Sequence, residues 1–269
     1  MTSATKGQQN YSINYSKGAS SKVMKKLAIY SMKGGVGKTA ASVNLSYLAA
    51  RDGSNTLLCD LDPQGASTYY FRIRASKNFK ANKFIKGGKH IDKNIKGTDY
   101  PNLDLLPSKL SYRNMDLALD ALKNSKKRLK QIFKELEDEY DYLFMDCPPG
   151  ISLISENVFN AADIIIVPII PTTLSELTYE KLLTFFDKHN IDPNKIYIFF
   201  SMVEIRKTLH QQTMQKLTDE GGSIFATRIP YRSDVEKMGV YREPVPISSP
   251  HSDSTRAYEE LWREIEAVL

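Results

Sequence analysis

Cysteine is nearly missing from this chain. Only Cys59 and Cys147 occur among 269 residues, and their spacing matches no ligand set for zinc or an iron–sulfur cluster. Cys59 directly precedes Asp60 and Cys147 directly follows Asp146, both in apolar stretches, so reduced, packed thiols are expected rather than a disulfide. The four histidines, His90, His189, His210 and His251, are scattered and form no metal-binding or catalytic pattern. Long hydrophobic runs are also lacking. The longest, Ile164 to Pro171, has strand length, and the N-terminus has no apolar core of a signal peptide. No membrane span is expected, and a cytoplasmic chain is. No acidic residue precedes Asp52. Residues 1–23 are mostly Ser, Gly, Asn, Gln, Tyr and Lys, too poor in apolar groups to fold alone, so a flexible basic and polar extension is expected there.

With 41% hydrophobic residues, the remainder, 24–269, is long enough to bury a full core as one domain. Strand-like apolar runs at Leu27 to Tyr30, Thr56 to Asp62, Leu103 to Pro107, Tyr142 to Asp146, Ile164 to Ile170, Lys195 to Val203 and Ile224 to Ile229 alternate with helical patterns. The helices are expected over Thr39 to Arg51, Ser111 to Glu139, Ser175 to His189, Thr208 to Glu220 and Asp253 to Val268. Such alternation predicts an α/β fold with a doubly wound, mostly parallel sheet flanked by helices.

The first strand runs into Ser31-Met32-Lys33-Gly34-Gly35-Val36-Gly37-Lys38-Thr39, and a helix follows at once. Strand, glycine-rich turn, helix is the order of a phosphate-binding loop. Its glycines let backbone N–H groups close around phosphates, Lys38 reaches the β- and γ-phosphates, and the Thr39 hydroxyl is placed to ligate Mg2+. The helix N-terminus adds its partial positive charge. Met32 stands where the ordinary pattern has glycine, and Lys33 is an additional cation five residues before Lys38.

Two further runs end in acids, Asp60-Leu61-Asp62-Pro63-Gln64-Gly65 and Asp146-Cys147-Pro148-Pro149-Gly150. Ligands of open α/β sheets gather beyond the carboxyl ends of the strands. Asp146 suits a second magnesium position, and Asp62 suits orienting the attacking water or touching the metal. Either acid alone reads equally well as a strand-terminal turn residue.

Together with Tyr140-Asp141-Tyr142-Leu143-Phe144-Met145 ahead of Asp146, these segments resemble the ParA family of deviant Walker A P-loop ATPases, which includes MinD. The resemblance covers about residues 24–269, with weaker echoes at Val167-Pro168, Ile229-Pro230 and Ser252 to Glu260. Ile170 departs from a frequent Gln, and Ser201 to Glu204 follows the adenine-side segment only loosely. The resemblance implies a homodimer holding ATP and Mg2+, with Lys33 crossing to the partner's nucleotide. It also implies nucleotide contacts by Lys33, Gly34, Gly35, Val36, Gly37, Lys38, Thr39, Ala40 and Pro230, metal contacts by Thr39, Asp62 and Asp146, and catalytic roles for Lys33, Lys38 and Asp62. A weak ATPase stimulated by a ParB-like protein or cargo adaptor, acting on the nucleoid, is what such a family member would be.

Charge fits a polyanion partner. The net charge is +6, and from Arg72 to Lys96 nine basic residues stand against the single acid Asp92. The resemblance points instead to the C-terminal third for non-specific contact with double-stranded DNA, where Arg206, Arg228 and Arg232 rank first. Aromatic residues in the lysine stretch are limited to Phe79 and Phe84, which favours duplex over single strands. Two other readings are weighed. A MinD-like membrane-surface protein would end in a basic amphipathic helix, but Tyr258 to Leu269 holds four glutamates and one arginine, with Leu261, Trp262, Ile265 and Val268 on the apolar side. A metabolic enzyme on the same fold is the third reading.

Overall fold

The structure, a computed structural model, describes residues 23–269, so the expected N-terminal extension lies outside the described residues apart from Val23. Eight strands, β1 (Lys25–Ile29), β2 (Thr56–Asp60), β3 (Lys96–Gly97), β4 (Leu103–Leu106), β5 (Tyr142–Asp146), β6 (Ile164–Ile169), β7 (Ile196–Val203) and β8 (Ile224–Pro230), form one sheet. Their order is β3-β4-β2-β5-β1-β6-β7-β8, parallel throughout except for the β3–β4 pair. The helices are α1 (Lys38–Arg51), α2 (Ala66–Tyr70), α3 (Ala81–Phe84), α4 (Lys89–Asp92), α5 (Met115–Asp120) and α6 (Arg128–Lys134). They continue with α7 (Leu153–Ala161), α8 (Thr173–Lys188), α9 (Thr208–Asp219), α10 (Ser233–Tyr241), α11 (Val245–Ser248) and α12 (Asp253–Val268).

Central strands β2, β5 and β6 are buried along their whole length, which is why they read as unbroken apolar runs. Successive residues serve opposite faces. Ala28 and Tyr30 join Cys59, Met145 and the apolar sides of α6 and α7 in one core, while Leu27 and Ile29 join Leu58, Phe144 and the apolar sides of α1 and α12 in the other. Cys59 and Cys147 are free and buried, as expected.

The helix α12 begins where Ser252 Oγ accepts from Thr255 N at 3.1 Å. Its Leu261, Trp262 and Ile265 are buried, and the Trp262 ring lies 5.2 Å from that of Tyr142. Val268 departs from the expectation: it is 43% exposed, and Leu269 packs against the core in its place. Glu264 of the same helix accepts from Ala226 N and Thr227 N at 2.6 and 2.9 Å. Those amides fall where β8 slips its register against β7, so a side chain replaces the missing ladder partners.

The continuous helix expected from Ser111 to Glu139 is broken. A 3-10 turn at Leu110–Asn114 leads into α5, and a second at Ser125–Lys127 leads into α6. Asn157 of α7 causes the second break: its Nδ2 donates to Ser125 O at 2.6 Å and its Oδ1 accepts from Leu129 N at 3.2 Å. A tertiary side chain thus satisfies backbone groups that a longer helix would have paired internally. No helix among the described residues is long and apolar enough to cross a membrane.

Candidate functional site

Strands β1, β2 and β5 end at one level, with both Ile29 and Asp60 in register with Asp146. Leaving β1, the chain turns through residues 31–37 and enters the 14-residue α1. Gly37 caps that helix with φ 93°, a conformation that demands glycine, and a Cβ there would stand 2.8 Å from Ser201 Oγ and push that hydroxyl aside. The first-turn amides of α1 then face a cavity of about 800 Å3. It is lined by Gly34, Gly35, Gly37, Lys38, Thr39 and Ala40, by Asp62, Pro63 and Gln64 after β2, and by Pro148 and Pro149 after β5. Backbone amides at a helix N-terminus, a lysine and a hydroxyl converging on one cavity make an anion site of phosphate type.

Lys38 is buried, and its Nζ donates to the Lys33 carbonyl at 2.8 Å. Burial pulls its pKa down, while the charges of Asp146, Cys147 and Asp62 push it back up. Beneath the loop, Asp146 is fully buried. Its Oδ2 accepts from Ser67 Oγ at 2.7 Å, and its Oδ1 has no hydrogen-bond partner. Burial pushes this carboxyl up to about 6, against the hydroxyls of Ser67 and Thr39, which pull it down. An orphaned buried carboxylate oxygen is costly unless a cation takes it, and with Thr39 beside it the donor set is all oxygen, which suits Mg2+. That fit carries a prediction. Mg2+ needs the ionised carboxylate, so Mg2+-dependent nucleotide affinity should climb as pH rises through about 6 and level off above it. Calorimetric titration across that range checks this, and an Asp146→Asn variant should lose the pH dependence with the metal.

Asp60, whose role the sequence left open, is fully buried and in register with Asp146. Burial first, then the charge of Asp146, pushes its pKa well above the usual carboxylate range. Its Oδ2 accepts from Thr68 N and Thr68 Oγ1 at 2.8 and 2.7 Å, and its Oδ1 accepts from Asp62 N at 3.2 Å. Ser108 closes the network: its N donates to Thr68 Oγ1 at 2.9 Å and its hydroxyl donates to the Asp62 carbonyl. The loop that carries Asp62 is therefore held from inside. Asp62 itself lines the cavity and also accepts from Gln64 N at 2.9 Å, so its turn role and its site role coexist.

Not every residue expected at the nucleotide gathers there. Lys33 and Val36 line a neighbouring narrow cleft with Val167, Pro168 and Tyr179, and Lys33 reaches the phosphate cavity only through its carbonyl. Pro230 does not line the phosphate cavity either. It lies in a separate cavity of about 730 Å3, at the end of edge strand β8, together with Arg206, Arg228 and Arg232. Arg232 pairs with Asp253 at 3.3 Å, whereas Arg206 and Arg228 have no ion pair among the described residues. Conversely, Tyr70, Arg113 and Glu236 line the phosphate cavity without having been expected there, and Met202 does so from the segment that follows the adenine-side pattern only loosely. Met202 holds φ 53° on β7, a backbone state invisible in the sequence, and Arg113 arrives on the 3-10 turn that interrupts the expected helix.

A family model described as an AAA domain matches residues 24–197. The chain is 28% identical over 248 residues to the chromosome-partitioning ATPase Soj of Treponema pallidum, covering 90% of this chain and 97% of that one. It is 25% identical over 247 residues to the chromosome partitioning protein ParA of Caulobacter vibrioides, covering 89% and 92%. The chain belongs to the ParA family. Among solved structures, a variant of McdA from Cyanothece in complex with ATP superposes with a TM-score of 0.80 at 19% identity, covering 91% of this chain and 97% of that one. In this ParA-family chain the phosphate loop and both acids lie at strand ends, with Lys33 and Lys38 on either side of the glycines.

Proposed function

We propose that this ParA-family protein is an ATPase whose nucleotide state switches a homodimer on and off duplex DNA, and that it positions a plasmid, chromosome or other cargo over the nucleoid in the cytoplasm. The observation that carries the reading is the phosphate cavity lined by Gly34, Gly35, Gly37, Lys38, Thr39, Ala40 and Asp62, beside a buried Asp146 whose Oδ1 has no hydrogen-bond partner. Residues 24–269 act as one ATPase unit, since one sheet with a core on each face runs through them. Gly34, Gly35, Val36 and Gly37 supply amides, Lys38 charge, and Ala40 the opening of α1. Thr39, Asp62 and Asp146 are the oxygen donors for Mg2+, which screens the phosphate charge and fixes the phosphate geometry when bound. Asp62 orients the attacking water.

Phosphoryl transfer needs positioning and charge stabilisation, so a site with few fixed cations hydrolyses slowly. A ParB-like protein or cargo adaptor would raise the rate by ordering the Asp62 loop or adding a cation. Loss of the γ-phosphate removes what joins the protomers through Lys33, and the affinity for DNA falls with it. Pro230 and its neighbours border the nucleotide once the dimer closes. A membrane-surface role through α12 is disfavoured, because Leu261, Trp262 and Ile265 are spent on the core and the outer side carries glutamates.

The test is an electrophoretic shift of unrelated duplex fragments with no nucleotide, ADP, ATP and a non-hydrolysable analogue. An ATP-dependent increase in retention is expected, lost in steps as salt rises because phosphate contacts release counterions. Arg206→Ala with Arg228→Ala should remove most of the ATP-dependent part and lower the salt slope by about one for each lost contact. Equal retention in all nucleotide states would sink the switch.

A further inference from the structure

The densest basic stretch of the chain is unused by the nucleotide site and by the arginine cavity. Residues 77–96 hold seven lysines and the single acid Asp92, and residues 123–134 hold five lysines and Arg128 with no acid at all. The fold brings the two segments together. Arg128 donates from Nε to Ile85 O and from its guanidinium to Lys86 O, each at 2.6 Å, and Gly88 N donates to Glu135 Oε2 at 2.8 Å. Between them runs a groove of about 520 Å3 lined by Asn82, Ile85, Lys86, Asn124, Arg128 and Gln131.

Burial explains why the lysines point outward. Phe79, Phe84, Ile85 and Ile91 from the first segment, and Leu129, Ile132 and Phe133 from the second, are all core residues. The charged stems between them are forced to the surface. Lys83, Lys86, Lys127 and Lys130 are exposed and make no ion pair among the described residues. Only Lys126 is neutralised, by Glu156 at 2.8 Å. Against Asp92 and Glu135 the field stays strongly positive, and a polyanion partner would relieve its self-repulsion.

We propose that this lysine surface is a second contact for duplex DNA, working in every nucleotide state. It rests on the reading above only for the class of polyanion. Phosphate backbone is the better fit than an acidic protein: no large hydrophobic side chain is exposed in residues 77–96 or 123–134, and a protein interface would need such anchors. The chain's own residues 1–22 are excluded as occupant by their basic charge. Nucleotide independence follows from construction, since the surface is complete within one protomer and uses no residue of the phosphate loop. It is also a separate place. The groove between the lysine segments shares no lining residue with the cavity that holds Arg206, Arg228 and Arg232. One protomer can therefore touch DNA at two places, with the lysine surface keeping the ADP-bound protein near the nucleoid.

The experiment uses the full chain, a labelled duplex of unrelated sequence, and fluorescence anisotropy with ADP or ATP across a salt series. Wild type with ADP should retain the duplex at low salt. A variant carrying Lys83→Gln, Lys86→Gln, Lys127→Gln and Lys130→Gln should lose about tenfold or more of that affinity, with the salt slope falling by about one for each phosphate contact removed. Basal ATP hydrolysis and thermal unfolding should not change. The arginine variant described above should keep the ADP-state binding. Wild type that ignores duplex with ADP, or a glutamine variant that binds it normally, overturns the proposal. So does a variant that loses only poly-glutamate binding, which would identify an acidic protein as the partner. ADP-state binding without any ATP-dependent increase would instead refute the switch and leave the lysine surface standing.

Discussion

Lys33→Ala should bind ATP and remain monomeric at concentrations where the wild type with ATP is a dimer. The geometry makes the two effects separable. Within its own chain Lys33 lines a cleft with Pro168 and Tyr179 rather than the phosphate cavity, and its carbonyl accepts from Lys38 Nζ at 2.8 Å. Truncation at Cβ leaves that carbonyl in place, so nucleotide affinity in one protomer should hold. In a two-fold dimer each loss occurs twice. A charge-assisted hydrogen bond contributes about 1.5–3 kcal/mol, so two of them contribute about 3–6 kcal/mol, which is a hundredfold or more in dimer dissociation. Light scattering of ATP-loaded protein measures the mass, and fluorescent nucleotide titration measures the binding. A normal dimer would remove the role of Lys33 in trans. A monomer that also fails to bind ATP would mean that Lys33 shapes its own loop instead.

How much of this was legible in the sequence depends on whether the signal was local. The phosphate loop, the two acid-ending runs and the alternation of strands and helices are local, and each lands where the pattern puts it. Buried parallel strands announce themselves because both faces are apolar. The break within 111–139 was not legible, since it depends on Asn157, a residue distant in sequence that reaches in from another helix. Asp60 was visible as an acid, but its task of holding the Asp62 loop appears only when Thr68 and Ser108 are brought beside it. Arg113 gave no signal and Met202 only the loose adenine-side echo of its segment, because their place in the cavity comes from a turn and a left-handed backbone state. Pro230 was drawn to the nucleotide by resemblance alone, and in a single chain it lies with the arginines. The lysine stretch was plain as charge and mute as geometry until Arg128 tied its two segments together.

Asp62→Ala should hold ATP and the closed dimer while phosphate release falls about a hundredfold to a thousandfold, the usual scale for losing one group that orients the nucleophile or stabilises developing charge. Two causes must be told apart, because Asp62 Oδ1 also accepts from Gln64 N at 2.9 Å and so shapes its own turn. Asp62→Asn separates them. It keeps an acceptor oxygen for Gln64 N but removes the negative charge. If the carboxylate acts on the water, both variants should be equally slow in a single-turnover assay, and Asp62→Asn should unfold close to the wild-type temperature. If Asp62 matters only as a turn residue, Asp62→Asn should hydrolyse nearly normally while Asp62→Ala is slow and about 1 kcal/mol less stable from the lost hydrogen bond. The clamp around the loop favours the first outcome. Asp60, Thr68 and Ser108 hold the backbone of Asp62 through its N–H and its carbonyl, independently of the Asp62 side chain. The turn survives the substitution, and what is lost is the charge facing the cavity.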